Sequence, residues 1–310
     1  MKLIEPSVSL QFNNCDPLIK VEKIGRICYK SESEYTRGTA IRFINSLIKR
    51  GHLSVLEHAV FIFEGIYYRG KPFVHSTYTF NKKTGHTRKL TSCSLRTIIE
   101  QKYYDLQDVL LKLYPELSEV FDMAALDRHY SDSLIKDPVI KVVNLNDFED
   151  ITEEEINAHL YTTFDFVTDR GVTHEMVRHR IASFTQESTR YCNYSNDKFG
   201  SELQFIRPAT FDEWTGMQKL TYMQSLEVAE QNYMSLVNSN LPAQFARGVL
   251  PTDVRTYIVM TAHHSEWEHF FDLRSRAKTG APHPNMKVVA SEAEKLYCER
   301  HAPLFDKIVK

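Results

Sequence analysis

The residues best equipped for chemistry crowd into one segment, Arg178-His179-Arg180-Ile181-Ala182-Ser183-Phe184-Thr185-Gln186-Glu187-Ser188-Thr189-Arg190-Tyr191. Three arginines, one histidine and four serine or threonine hydroxyls fall within fourteen positions. Guanidinium forks, hydroxyls and backbone N–H groups together hold a phosphate, or the planar acceptor edge of a base, in a fixed orientation. The same composition also suits a solvated helix end carrying surface ion pairs. Residue types alone leave both readings open.

Two segments nearby imitate metal sites. His174-Glu175-Met176-Val177-Arg178-His179 sets its histidines five apart, where a helical H-E-x-x-H zinc site needs four, so the rings diverge around the helix. Glu266-x-x-His269 has the form found in di-iron bundles, but no second copy or further glutamate pair can be placed beside it. No metal is expected, and a metal-dependent hydrolase is the lesser enzymatic alternative. The non-catalytic alternative is a nucleotide- or RNA-binding module that uses Arg178 to Arg190 with Phe184, Tyr191 and Tyr194 as stacking groups. With 38 Lys+Arg against 40 Asp+Glu, the formal charge of −2 argues against a protein that wraps long nucleic acids.

The spacing carries more than the composition does. RHRIASFTQESTR, read as RHR followed by S-x-x-x-x-S-x-R, resembles the signature of the flavin-dependent thymidylate synthases (ThyX). Gly51-His52-x-Ser54-x-x-Glu57-His58 resembles that family's histidine turn, and Ala246-Arg247 to Pro251 with Phe271-Asp272-Leu273-Arg274 resembles its two later arginine sites. The resemblance covers roughly 18–66 and 158–300.

The resemblance implies transfer of one carbon from 5,10-methylenetetrahydrofolate to C5 of dUMP, with FAD as the reductant and NADPH reloading it. It implies FAD contacts at His52, Ser54, Glu57, Arg178, His179, Arg180, Gln186, His263, His264, Ser265 and His269. It implies dUMP contacts at Glu175, Arg178, Gln186, Glu187, Ser188, Thr189, Arg190, Arg247 and Arg274. Arg247 is expected at the phosphate, supplied by a neighbouring subunit. Arg274 is expected beside uracil as the catalytic residue, where a fixed positive charge stabilises negative charge on the ring and makes C5 a better nucleophile. His263 and His269 stand where Asn is common in the family. The family also implies a homotetramer with shared active sites.

These residues need elements to hold them. Apolar spacing predicts helices over 18–30, 36–50, 94–113, 172–182, 217–238, 241–250 and 252–274, with Gly51 as a stop. Alternation predicts strands in the second half of 52–68 and over 158–168. Trp267, Phe270 and Phe271 read as core, and the acidic run 147–155 as solvated surface. The mixture lacks βαβα alternation, so the fold class is α+β, helices on a mainly antiparallel sheet. One domain over 1–310 is expected, with an insertion at about 69–157 whose later part, 114–157, reads as a surface excursion.

The five cysteines, Cys15, Cys28, Cys93, Cys192 and Cys298, form no C-x-x-C pair, which argues against a disulfide framework or zinc ribbon. The N-terminus lacks a signal-peptide core, and no apolar run is long enough to span a bilayer. A soluble, cytoplasmic protein is expected.

Overall fold

A computed structural model describes residues 1–28, 31, 34–71, 73–80, 85–121, 140–192, 194 and 202–308. Its strands are β1 (Lys2–Ile4), β2 (Ser7–Ser9), β3 (Val60–Glu64), β4 (His75–Phe80), β5 (Thr87–Ser94), β6 (Lys141–Val142), β7 (Tyr161–Asp169), β8 (Ser183–Gln186), β9 (Gln204–Ile206) and β10 (Arg255–His263). The helices are α1 (Pro17–Ile27), α2 (Arg37–Lys49), α3 (Leu95–Glu100), α4 (Tyr104–Leu113), α5 (Glu153–His159), α6 (Arg170–Met176), α7 (Gly216–Asn238), α8 (Ala243–Ala246), α9 (His264–Arg274) and α10 (Pro284–Phe305).

The spine is the antiparallel pair β7 and β10, in register from Arg255 opposite Asp169 to His263 opposite Tyr161. β2 extends it beyond β7 and β8 beyond β10, giving the order β2-β7-β10-β8. A second antiparallel sheet runs β4-β5-β3-β6, and β1 pairs with β9 in parallel. The α+β expectation therefore holds, with antiparallel pairing dominant. Trp267, Phe270 and Phe271 of α9 are fully buried against Phe164 of β7 and Tyr297 of α10, as the helical spacing predicts.

Several expected boundaries are corrected. Residues 252–274 are not one helix, because Arg255–His263 is the strand β10 and the helix starts at His264. The stretch Tyr257 to Ala262 is rich in β-branched and apolar residues and lies between two paired strands, where an unbroken apolar run shows no period of two. The expected helix over 172–182 ends at Met176, and part of it becomes the approach to β8. The helix over 94–113 divides at Gln101–Tyr103, where Lys102 adopts φ = 54°. Residues 241–250 hold only the four-residue α8 followed by a 3-10 turn. Gly51, at φ = 70°, does close α2. Residues 29 and 30 of the first expected helix lie outside the described residues.

The reading of 114–157 as a surface excursion is also corrected for its described part, since residues 122–139 lie outside it. Leu117, Leu145, Ile151 and Ile156 are buried, and β6 completes the second sheet. Nor is the acidic run wholly solvated. Glu155 is fully buried, caps α5 through the Thr152 amide, accepts from Thr79 Oγ1 at 2.6 Å, and pairs with Arg88 at 3.0 Å. A carboxylate in a charge run can be internal when one cation and one hydroxyl satisfy it.

Candidate active site

The arginine-rich segment leaves α6, whose first turn is capped by Asp169 Oδ1 accepting from Val172 N at 2.7 Å. Arg178 and Arg180 are exposed, whereas His179 between them is buried. Arg274, the last residue of α9, donates from Nη1 to Glu175 Oε2 at 2.7 Å and from Nε to His179 Nε2 at 3.3 Å. Two helix ends separated by 99 positions thus meet in one Glu-Arg-His cluster. Phe270 and the exposed His269 flank the His179 ring at 5.0 and 5.8 Å between centroids. Burial, with Arg274 and His269 adding to it, pushes His179 down to about 4. The ring is neutral near pH 7, which leaves Nε2 free to accept from the guanidinium.

Beyond β8 a second cluster forms. Gln186, the last residue of β8, donates from Nε2 to Thr173 Oγ1 and Thr256 Oγ1 at 3.0 and 3.1 Å. Ser188 Oγ accepts from Arg190 N at 3.3 Å, Arg190 Nε reaches Gln244 Oε1 at 3.2 Å, and Arg247 Nη1 donates to Thr189 Oγ1 at 3.2 Å. Arg190 and Arg247 are exposed, and neither pairs with a carboxylate among the described residues. The resemblance assigns Arg247 to a neighbouring subunit. Within a single chain it already reaches Thr189. Glu187 faces the other way: its buried carboxylate pairs with Arg255 and accepts from Tyr194 OH at 2.9 Å, and its carbonyl accepts from Arg170 at 2.9 Å. That places it beneath the loop as an anchor.

A third group lines a cleft of about 360 Å³ between the two sheets, where Glu57, Arg180, Ser183 and His263 come together. His263 is buried, with Nδ1 2.9 Å from Ser265 Oγ, and its Nε2 has no hydrogen-bond partner among the described residues. Burial, reinforced by His75, pushes its pKa to about 4 although the Asn157 carbonyl opposes the shift. His52 and Ser54 are exposed at the start of a 3-10 segment and do not line this cleft. His264 turns instead into the α9–α10 core, its Nδ1 2.6 Å from Tyr297 OH and its ring stacked on the tyrosine.

The sequence reading missed several participants. Arg96 lines the cleft and is held by Glu57 at 2.5 Å and Glu100 at 2.8 Å, while His75 packs 4.7 Å from the His263 ring. Both belong to the presumed insertion, and no local pattern marks them. A buried hydrogen-bonded chain was also missed. Lys20 Nζ reaches Thr163 Oγ1 at 2.6 Å, Thr163 meets Thr261 at 2.7 Å, and His58 bridges Thr261 and Thr185 at 2.7 and 3.0 Å. Lys20 donates to Thr163, and the neutral His58 ring donates from one nitrogen and accepts at the other, so it links Thr261 and Thr185 in either tautomer. Cys192, beside the motif, is a buried thiol directed at the Cys28 carbonyl. Among the described residues no group of three or more His, Cys, Asp or Glu is disposed to hold a metal ion, and no helix is long and apolar enough to cross a membrane.

Fold and site together define an α+β protein that gathers arginines, hydroxyls and neutral histidines from distant segments around surface clefts. The family model described as "Thymidylate synthase complementing protein" matches residues 12–67 and 149–303, and the chain belongs to that family. Residues 68–148 fall outside the match. Among its relatives, the flavin-dependent thymidylate synthase of Geobacter sulfurreducens is 34% identical over 34% of this chain and 43% of its own length. That of Pyrococcus abyssi is 31% identical over 41% of this chain and 57% of its own length. The chain thus spans about half the length of the relatives it matches. A crystal structure of the UMP/dUMP methylase PolB from Streptomyces cacaoi, bound with 5-Br dUMP, aligns with a TM-score of 0.41 and 16% identity, covering 96% of this chain and 93% of that one.

Proposed function

We propose that the chain is a flavin-dependent thymidylate synthase that converts dUMP to dTMP with 5,10-methylenetetrahydrofolate as one-carbon donor and NADPH-reduced FAD as reductant. The observation that carries the reading is the convergence of Ser188, Thr189, Arg190 and Arg247, two guanidiniums with no carboxylate partner among the described residues beside two hydroxyls, in a chain of this family. Such a cluster suits a dianionic nucleotide phosphate. Arg274 then lies at the uracil end, held by Glu175 and His179 so that its charge is fixed before substrate arrives. A preorganised cation there stabilises negative charge on the ring as C5 bonds the one-carbon unit and later releases its proton.

The residues fit a flavin. The cleft lined by Glu57, Arg180 and His263 offers an exposed cation and a buried imidazole nitrogen that lacks a partner among the described residues. Arg178, Arg180 and His263 would hold the cofactor, while His52, Ser54, Ser265 and His269, which do not line this cleft, would meet only a part of it that extends beyond. When bound, the reduced flavin supplies the hydride that completes the methyl group. A homotetramer with shared sites, in the cytoplasm, belongs to the same reading.

Tritium release from C5-labelled dUMP, in the presence of methylenetetrahydrofolate and NADPH, tests it. Release that requires FAD is expected, and FAD-independent or absent release would sink it.

A further inference from the structure

We infer that the inserted segment forms one wall of the flavin cleft, presenting Phe73 and His75 as stacking surfaces for the flavin ring system and Arg96 at its edge; this rests on the flavin reading above. The cleft is lined from both sides of the family match. Glu57, Arg180 and His263 come from matched segments, while Phe73, His75 and Arg96 come from 68–148, which the family model leaves out.

Phe73 is 75% exposed and adopts φ = 59°, a left-handed backbone that a bulky residue rarely takes. An aromatic ring held at the mouth of a cleft on such a backbone is costly unless something covers it, and strained residues of this kind gather at ligand clamps. His75 lies deeper, its ring 4.7 Å from that of His263 and 6.4 Å from that of Tyr161. Burial lowers its pKa, so near pH 7 it is a neutral aromatic plane that needs no counter-ion.

At the floor, the buried Nε2 of His263 makes no hydrogen bond among the described residues. A heteroaromatic ring that stacks on its faces and bonds through its edge satisfies the exposed phenyl and the orphaned nitrogen together. Arg96, fixed by Glu57 and Glu100, presents its guanidinium plane without freedom to swing away. About 360 Å³ is near the lower end for small-molecule sites, which suits a fused ring system rather than a whole dinucleotide.

The test is FAD titration of the full chain, followed by flavin fluorescence and absorbance, for wild type, Phe73→Ala, His75→Ala and His75→Phe. Phe73→Ala should weaken FAD binding by about tenfold, the loss expected for one aromatic stacking partner. His75→Ala should weaken it comparably, and His75→Phe, which restores the plane, should recover most of it. Competition by riboflavin and by ADP locates the gripped part: weakened riboflavin binding with unchanged ADP binding is expected, and the reverse would overturn the assignment. Phe73→Ala and His75→Ala binding FAD as tightly as wild type would overturn it as well. Wild type that binds no FAD at all would instead fail the flavin reading itself. Phe73 is so exposed that its removal leaves the core untouched, and an unchanged melting temperature verifies this.

Discussion

Protonation of His58 should loosen the junction where β8 and β10 meet the segment leading into β3. The ring is fully buried and bonded on both sides, Nδ1 to Thr261 and Nε2 to Thr185. Burial, with the charge of Lys20 adding to it, pushes its pKa from 6.5 down to about 3. The folded ring stays neutral while the unfolded chain takes up a proton below pH 6.5, so the unfolded state binds more protons across that window. Stability therefore falls as pH drops from 6.5 towards 3. At about 1.4 kcal/mol per unit, the loss from this one ring reaches about 2 kcal/mol at pH 5. Against a typical total of ~5–15 kcal/mol that is a large share. His58→Gln keeps one acceptor and one donor but cannot titrate. Urea unfolding at pH 7.5 and pH 5 should show the wild type losing about 2 kcal/mol more than the variant between the two. The other buried histidines titrate in both proteins and cancel. Equal losses would refute the reasoning, because the native ring would then have to accept its proton at no cost.

Lys20 offers the opposite test on the alkaline side. Burial lowers its pKa from 10.5 to about 8, so the unfolded chain holds the extra proton between those values and stability should rise as pH climbs through them. Lys20→Met should flatten that rise in melting temperature and raise stability at pH 7. Glu187→Gln breaks a buried pair and leaves Arg255 uncompensated, which predicts a loss of about 3–5 kcal/mol in denaturant unfolding. Arg274→Ala should retain FAD, seen in its absorbance spectrum, yet lower dUMP-dependent turnover by roughly a hundredfold or more. Loss of flavin with intact dUMP binding would contradict that role. Arg178→Ala should weaken FAD retention first, and full flavin occupancy in that variant would count against its assignment.

What could be read from the sequence was what lies contiguously in it. The Arg178 to Arg190 segment is legible because its spacing is local, and α2 is legible because Ile41, Ile44 and Gly51 mark its face and its end. Arg274 was placed at a helix terminus even though the start of that helix was expected at 252, twelve residues before His264 and ahead of the whole of β10. A helix end fixes its last side chain whatever precedes the first turn. The inward turn of Glu187 was not legible, because its partners Arg255 and Tyr194 are chosen by the β8–β10 register and by the chain beyond the motif.

The contribution of 69–157 to the cleft shows why motif reading stops where it does. A motif reports residues that share a local backbone, whereas a cleft between two sheets is lined by whichever residues the strand order brings opposite one another. His75 on β4 and Arg96 on α3, which follows β5 directly, belong to the second sheet and the helix after it, yet line one cleft with Glu57 and with His263 of β10 in the first sheet. Nothing in the spacing of HSTYTF or LRTIIE announces chemistry. If those two residues touch the ligand, the segment outside the family match shapes the site as directly as the signature does, and relatives without it must close the same cleft by other means.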